Sequence, residues 1–201
     1  MTAEIGFWFD FSSPYAYLAS ERIEDLAARH GRTVAWRPFL LGIAFKAEGT
    51  KPLTHYDAKG RYSTHDFARS ARLWNIPFTM PDPFPAAALD ATRLFIWLQQ
   101  NDAATAVPFL HAIYRAYFTA NRFIGDRSVV LAVAAECGID ADTAQAAMTD
   151  GAIKARLRDL TREAVGDRGV FGAPTMDVDG ELFWGADRLD MLDQWLTRGG
   201  W

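Results

Sequence analysis

The first forty residues contain two compact apolar runs separated by one amphipathic stretch. Residues 4–10 are almost continuously apolar, which predicts a strand buried on both faces. A helix should follow at once, because Ser12 and Ser13 offer an N-cap before Pro14 and small apolar residues then recur at helical spacing. Residues 32–40 predict a second strand, so the chain opens with a strand, helix, strand unit whose strands should pair in parallel.

The centre of the chain predicts a long connection followed by helices. Residues 46–62 mix Gly, Thr, Pro, Lys and His without an apolar period, and long ordered connections are often functional. Proline lacks the N–H that an inner helical turn uses, so Pro108 is expected in the first turn of its helix. Helical spacing is found in six segments, which are 62–75, 86–101, 106–120, 127–137, 140–149 and 151–165.

The C-terminal part predicts an antiparallel hairpin and a last helix. Residues 175–178 and 181–184 flank an Asp-Gly pair, which is the two-residue signal of a hairpin, and an amphipathic helix follows. This order of elements predicts an α/β protein with a thioredoxin-like fold and an inserted all-helical domain. Residues 1–45 and 166–201 would form the thioredoxin-like domain, and residues 46–165 the helical insertion.

The composition of the chain excludes several classes of partner and of chemical site. The 201 residues carry a net charge of −4, which argues against an electrostatic surface for nucleic acid or anionic lipid. No signal peptide or bilayer-spanning run is visible, so the expectation is a cytoplasmic protein without a membrane partner. The single cysteine, Cys137, excludes an internal disulfide, and the spacing of the four histidines gives a metal site little support.

The turn between the first strand and the first helix is the main candidate for chemistry. Backbone amides and the positive end of the helix dipole converge there and favour an anion. A redox thioredoxin fold holds a Cys-x-x-Cys pair at this turn, whereas this chain has Ser12 and Ser13. The Ser13 hydroxyl, directly before Pro14, is therefore predicted to stabilise a thiolate that a ligand supplies. The alternative is that one of the two serines merely caps the helix.

Three further positions could meet such a ligand. Pro174 stands at the start of a strand, and a cis bond there would turn the backbone of Ala173 outward beside Ser13, where a peptide-like ligand could pair with it. An ordinary trans proline is the alternative. Asp187, near the last helix, would take an ammonium group or simply cap that helix. Lys59 would meet a carboxylate, although most surface lysines have no such role.

Motifs at both ends of the chain together resemble one enzyme family. Residues 9–18 (FDFSSPYAYL), 172–176 (GAPTM) and 183–189 (FWGADRL) are similar to those of the 2-hydroxychromene-2-carboxylate isomerases. These enzymes belong to the DsbA-like thioredoxin superfamily and are related to the kappa-class glutathione transferases. The resemblance covers the whole chain, because Tyr62 and the segment 74–78 match the helical domain that the family inserts.

The resemblance implies a glutathione-dependent isomerase in which Ser13 is catalytic. It would hold the cysteinyl part of glutathione at Ala173 and Pro174, and the γ-glutamyl end at Ala186 and Asp187. The family's loop carries an asparagine where this chain has Thr50, which leaves the contacts of the glycyl end open. The full set of cofactor-binding residues implied is Ser13, Pro14, Lys59, Ala173, Pro174, Ala186 and Asp187.

The same resemblance implies a small aromatic carboxylate as substrate. 2-Hydroxychromene-2-carboxylate would be interconverted with trans-o-hydroxybenzylidenepyruvate during naphthalene-type degradation, by addition of a thiolate, bond rotation and elimination. Glutathione would thus be a cofactor that is not consumed, and a homodimer is compatible with the family. Two alternatives stay open: a kappa-like transferase that conjugates an electrophile, and a redox-silent module that binds a peptide beside Pro174.

Overall fold

The computed structural model describes residues 3–201, and the strands in that part of the chain form one mixed four-stranded sheet. The sheet order is β2-β1-β3-β4, with β1 parallel to β2 and antiparallel to β3, and β3 antiparallel to β4. This arrangement confirms the thioredoxin-like fold. The strands are β1 (Glu4–Phe9), β2 (Thr33–Pro38), β3 (Thr175–Val178) and β4 (Glu181–Trp184).

Helices surround the sheet, and seven of the nine that residues 3–201 contain lie between β2 and β3 in the sequence. A π-helical turn, Glu163–Asp167, continues the last of these seven, and single 3₁₀ turns lie at Leu53–His55 and Ala186–Arg188. None of the helices in residues 3–201 is both long and apolar enough to cross a membrane. The α-helices are α1 (Pro14–Arg29), α2 (Leu41–Ala47), α3 (Asp57–Leu73), α4 (Leu89–Asn101), α5 (Ala103–Phe118), α6 (Arg127–Glu136), α7 (Ala141–Thr149), α8 (Gly151–Arg162) and α9 (Leu189–Arg198).

β1 is buried on both faces, as its apolar sequence predicts. On one face Phe9 packs edge-on against Phe95 of α4, with ring centroids 5.4 Å apart. On the other face Trp8 is fully buried and its ring centroid lies 6.5 Å from that of Phe39. Because side chains alternate along a strand, this two-sided packing fixes the C-terminal end of β1, from which the turn to α1 starts.

The prediction for Pro108 is wrong. α5 begins at Ala103, so Pro108 lies in its second turn. Asp102 ends α4 and also begins α5, and the short residues after it extend the helix by one turn ahead of the proline. An inner proline costs about 3 kcal/mol, and the apolar side chains of α5 offset that cost, since Phe109 and Leu110 are fully buried beside it.

The long connection is shorter than predicted. α2 occupies Leu41–Ala47, where no helix was expected, and α3 begins at Asp57 instead of residue 62. α2 has only seven residues and Leu41 and Ala44 alone are buried in it, so it shows too little apolar periodicity to be recognised. Both helices line a cleft beside the C-terminal end of β1.

Candidate functional site

The turn between β1 and α1 places one serine hydroxyl in two roles. Ser13 is the N-cap of α1, and its Oγ accepts a hydrogen bond from the Ala16 amide at 3.2 Å. The same Oγ donates to the carbonyl oxygen of Ala173 at 2.8 Å, and the contact is buried. The capping alternative is therefore correct for Ser13, but it describes only one of the two hydrogen bonds that this hydroxyl makes.

The segment before β3 brings the far end of the chain to this turn. The Ala173–Pro174 peptide bond is cis, so the trans alternative is wrong. The carbonyl oxygen of Pro174 accepts a hydrogen bond from the Gly185 amide at 3.0 Å, which ties the segment to the loop after β4. Ser13 and Ala173 are 160 residues apart in sequence and in direct contact in the fold.

A cleft of about 1160 Å³ opens beside this contact. Pro174 lies outside its wall, behind Ala173, and Thr50 lies in the wall. The structure thus gathers around one cavity nearly all the residues that the sequence singled out. The predicted residues that line it are Ser13, Pro14, Lys59, Ala173, Ala186 and Asp187.

Asp187 and Lys59 both present charges to the cleft. Asp187 Oδ2 accepts a hydrogen bond from Arg188 Nη1 at 3.1 Å, and α9 begins without a side-chain cap, so the proposed capping role of Asp187 is wrong. Lys59 lies in the first turn of α3, and its Nζ lies 4.9 Å from the centroid of the Tyr56 ring. Lys51 Nζ lies 4.7 Å from the centroid of the same ring.

One face of α3 contributes residues that the sequence reasoning missed. Asp66 accepts a hydrogen bond from the Tyr15 hydroxyl at 2.6 Å and also contacts the Arg69 guanidinium. Burial raises the pKa of Tyr15, and the hydrogen bond to Asp66 adds to this effect. The sequence offered a signal for Asp66 and Arg69, because their spacing from Lys59 and Tyr62 places all four on one face of a helix.

A second missed residue is Asp10, which directly follows β1. Its Oδ1 accepts hydrogen bonds from the amide and the hydroxyl of Ser12, at 2.8 and 2.7 Å. Its Oδ2 accepts one from the Leu41 amide, at 2.9 Å, and so links the turn to the first residue of α2. Burial raises the pKa of Asp10, and these hydrogen bonds offset the effect only in part.

The remaining wall of the cleft is apolar. Ten large hydrophobic side chains are exposed in residues 3–201, and seven of them line this cleft, which marks it as a site for an apolar ligand. Phe171 and Trp184 form an edge-on pair with ring centroids 4.7 Å apart. A side chain at Gly172 would overlap the indole of Trp184, so the glycine lets the indole lie against the loop. The seven are Ile43, Leu53, Tyr62, Leu73, Leu89, Phe171 and Trp184.

The chemistry available at the cleft follows from these groups. The N-terminal end of α1 and the Ser13 hydroxyl favour an anion. Asp66 and Asp187 favour an ammonium group, and Lys51 and Lys59 favour carboxylates. Across residues 3–201 no group of three or more His, Cys, Asp or Glu side chains is arranged to hold a metal ion.

Comparison with known proteins identifies relatives over the full length of the chain. A model of the DSBA-like thioredoxin domain matches residues 4–197. The 2-hydroxychromene-2-carboxylate isomerase of Sphingobium xenophagum is 33% identical over 198 residues, which cover 98% of this chain and 99% of the relative. The enzyme of the same name from Pseudomonas putida is 29% identical over 197 residues, covering 96% and 94%.

Two further similarities bear on the site. Glutathione S-transferase kappa 1 of Caenorhabditis elegans is 26% identical over 200 residues, covering 94% of this chain and 88% of the relative. A solved structure of a 2-hydroxychromene-2-carboxylate isomerase superposes with a TM-score of 0.87 at 27% identity, covering 97% of this chain and 95% of the other. The similarity therefore extends to the helices that form the cleft as well as to the sheet.

Proposed function

We infer the function of this chain from its family, because it belongs to the DsbA-like thioredoxin proteins and, among them, to the 2-hydroxychromene-2-carboxylate isomerases. We propose that it is a glutathione-dependent isomerase that interconverts 2-hydroxychromene-2-carboxylate and trans-o-hydroxybenzylidenepyruvate in the breakdown of naphthalene-type compounds. The observation that carries this proposal is the Ser13 hydroxyl, which lies at the start of α1 and 2.8 Å from the Ala173 carbonyl oxygen at the cleft.

The polar groups of the cleft fit the three parts of glutathione. The backbone of Ala173 would hold the cysteinyl part beside Ser13, with Pro14 and Pro174 fixing the two turns. Asp187, with Ala186 and helped by Asp66, would hold the ammonium group of the γ-glutamyl end, and Lys59 the glycyl carboxylate. When bound, glutathione supplies the thiolate nucleophile of the reaction and takes it back unchanged.

The role of Ser13 is to stabilise that thiolate. The hydroxyl hydrogen can turn from the Ala173 carbonyl oxygen towards the sulfur, while the oxygen still accepts the hydrogen bond from the Ala16 amide. A thiol with a pKa of about 8.5 is about 3% ionised at pH 7, and lowering its pKa to about 6.5 makes it roughly 75% ionised, which requires about 2.7 kcal/mol. The helix dipole supplies about 0.3 to 1 kcal/mol and one charge-assisted hydrogen bond about 1.5 to 3 kcal/mol, so the two together are sufficient.

The apolar wall would hold the planar ring of the substrate. The exposed side chains of Leu53, Leu73 and Ile43 and the pair of Phe171 and Trp184 offer apolar surface that would exclude water from the reacting carbon. An apolar groove can also bind a peptide, so the wall alone does not distinguish the two functions. The full-length similarity to 2-hydroxychromene-2-carboxylate isomerases favours an enzyme that acts on a small aromatic molecule over a redox-silent peptide-binding module.

The proposal is tested by following trans-o-hydroxybenzylidenepyruvate with and without glutathione. We expect conversion to an equilibrium mixture only when glutathione is present, with the free thiol concentration unchanged after many turnovers. Conversion at the same rate without glutathione would contradict the cofactor assignment, and no conversion with it would contradict the isomerase assignment.

A kappa-like transferase is the second candidate, because kappa-class glutathione transferases are full-length relatives of this chain. A transferase would use the same contacts but would keep glutathione attached to its electrophile. The same incubation separates the two functions, since a transferase removes one free thiol for each molecule of product.

A further inference from the structure

Beside the group that would stabilise the thiolate, the proton that the thiol loses goes either to solvent or to a second group of the cleft. The Ser13 hydroxyl donates a hydrogen bond and is not a base. No histidine in residues 3–201 lines the cleft. The side chains there that can accept a proton at neutral pH are four carboxylates: Asp10, Glu48, Asp66 and Asp187.

Three of these carboxylates are poorly suited to the task. One oxygen of Asp66 already accepts a hydrogen bond from the Tyr15 hydroxyl, and the other contacts the Arg69 guanidinium. Asp187 is likewise paired with a guanidinium, that of Arg188. Glu48 is exposed at the end of α2.

Asp10 differs from the other three in its surroundings. It is half-buried in the wall of the cleft. Its contacts come from the turn, from α2 and from α5: the amide and hydroxyl of Ser12, the Leu41 amide, and the Tyr114 hydroxyl, which donates to the Asp10 main-chain oxygen at 3.2 Å. Tyr114 is the titratable group among these neighbours, and burial raises its pKa far above neutrality. None of these contacts is a cation. Burial also raises the pKa of Asp10, so it holds a proton more readily than an exposed aspartate.

Ser12 is hydrogen-bonded to this carboxylate and lines the same cleft. Its Oγ donates to Asp10 Oδ1 at 2.7 Å, and Ser12 is itself a part-exposed residue of the cleft wall, next to Ser13. The Ser12 amide already closes the turn on the same Oδ1, at 2.8 Å. The hydroxyl is therefore not needed for the turn, and it is free to pass a proton between the cavity and the Asp10 carboxylate.

We propose that Asp10 receives, through the Ser12 hydroxyl, the proton that the thiol of bound glutathione loses. The S–H bond breaks, its proton bonds to Ser12 Oγ, and the proton of Ser12 moves to Asp10 Oδ1. The products are a thiolate beside Ser13 and a neutral carboxylic acid at Asp10. The thiol, Ser12 and Asp10 together carry one negative charge before and after the transfer, and the reverse steps return the proton when glutathione leaves. This inference rests on the proposed function.

The experiment counts protons and thiolates separately. Glutathione is titrated into the protein near neutral pH, the thiolate is measured by its ultraviolet absorbance, and proton release by calorimetry in two buffers of different ionisation enthalpy. S-methylglutathione, which has no thiol proton, gives the baseline for other binding-linked protons. We expect the wild type to release far less than one proton for each thiolate formed.

The variants show whether the proton follows the proposed route. Ser12→Ala removes the hydroxyl but keeps the amide of the turn, and it should release close to one proton per thiolate. Ser12→Thr keeps a hydroxyl and should behave like the wild type. Asp10→Asn should match Ser12→Ala, and the two serine variants keep the test decisive if the asparagine variant does not fold.

The outcomes separate this inference from the function on which it rests. A thiolate that forms with release of a full proton in the wild type, or equal release in Ser12→Ala and the wild type, overturns the proton route and leaves the isomerase proposal standing. Absence of a thiolate in the wild type with glutathione bound overturns both.

Discussion

Replacement of Ser13 by alanine tests the centre of the site, because one hydroxyl makes two contacts there. The variant leaves the Ala16 amide and the Ala173 carbonyl oxygen without their partner. Loss of the N-cap costs about 1 kcal/mol, and loss of a buried neutral hydrogen bond about 1 kcal/mol. For a chain of this length, the sum corresponds to a decrease in Tm of about 4 to 8 °C.

Ser13→Ala should change the pKa of the thiol of bound glutathione more than it changes the affinity for glutathione. Ser13→Ala removes one charge-assisted hydrogen bond of about 1.5 to 3 kcal/mol, which raises the pKa of the bound thiol by about 1 to 2 units. The helix dipole of α1 stays in place. At pH 7 the thiolate fraction, and with it kcat/KM, should fall roughly 10-fold, while the Kd of glutathione changes much less.

The assay is a pH titration of the thiolate absorbance in the glutathione complex, together with kcat/KM across the same pH range. Ser20→Ala is the matched control, because Ser20 lies in α1, is also buried and does not line the cleft. Its hydroxyl donates a hydrogen bond to the Tyr17 carbonyl oxygen at 2.7 Å. Ser20→Ala should lower Tm without moving the pKa of the thiol. An unchanged thiol pKa in Ser13→Ala would refute the role given to its hydroxyl.

Three other perturbations address ligand binding, the apolar wall and the packing of α1 on α5. S-hexylglutathione at one hundred times its Kd should stabilise the fold by about 2.7 kcal/mol, which is a rise in Tm of roughly 5 to 10 °C in a melting curve, and no rise at saturating ligand would contradict the glutathione site. Gly172→Ala should displace the indole of Trp184 and raise the KM of the aromatic substrate severalfold with little change in the Kd of glutathione; unchanged KM would exclude this wall from substrate binding. Burial raises the pKa of Glu21, but contacts with His111 and a neighbouring arginine outweigh this and lower it to about 2. Its contribution to the free energy of unfolding should therefore be present above its ordinary pKa of 4.5 and be lost as pH falls towards about 2, and Glu21→Gln should flatten that part of a pH-dependent denaturation series.

The strands, α1 and the hairpin could be predicted from the sequence because local signals there agree with the final packing. The sequence of β1 is apolar on both faces, and the strand is buried on both faces. The Asp179-Gly180 pair forms the expected turn between β3 and β4. The contact between Ser13 and Ala173 could also be anticipated, because the order of elements brings the ends of β1 and β3 to the same region.

The rest depends on contacts between distant elements. The hydrogen bond from Tyr15 to Asp66 joins α1 to α3, and nothing local to either residue encodes it. In the sequence Asp10 has only the pattern of an ordinary turn residue. Its hydrogen bond from the Leu41 amide depends on α2, which is too short to be recognised from the sequence. The inner position of Pro108 likewise reflects packing that outweighs a local preference.

The contact between Ser13 and Ala173 makes the site depend on nearly the whole length of the chain. β1 is synthesised first but lies between β2 and β3 in the sheet, so one of its edges stays open until residue 175 has been made. A translation product arrested before that point exposes an unpaired apolar strand and lacks the Ala173 side of the contact with Ser13. Truncated forms should therefore aggregate instead of retaining partial activity, and the ability to bind ligand reports that synthesis and folding have both finished.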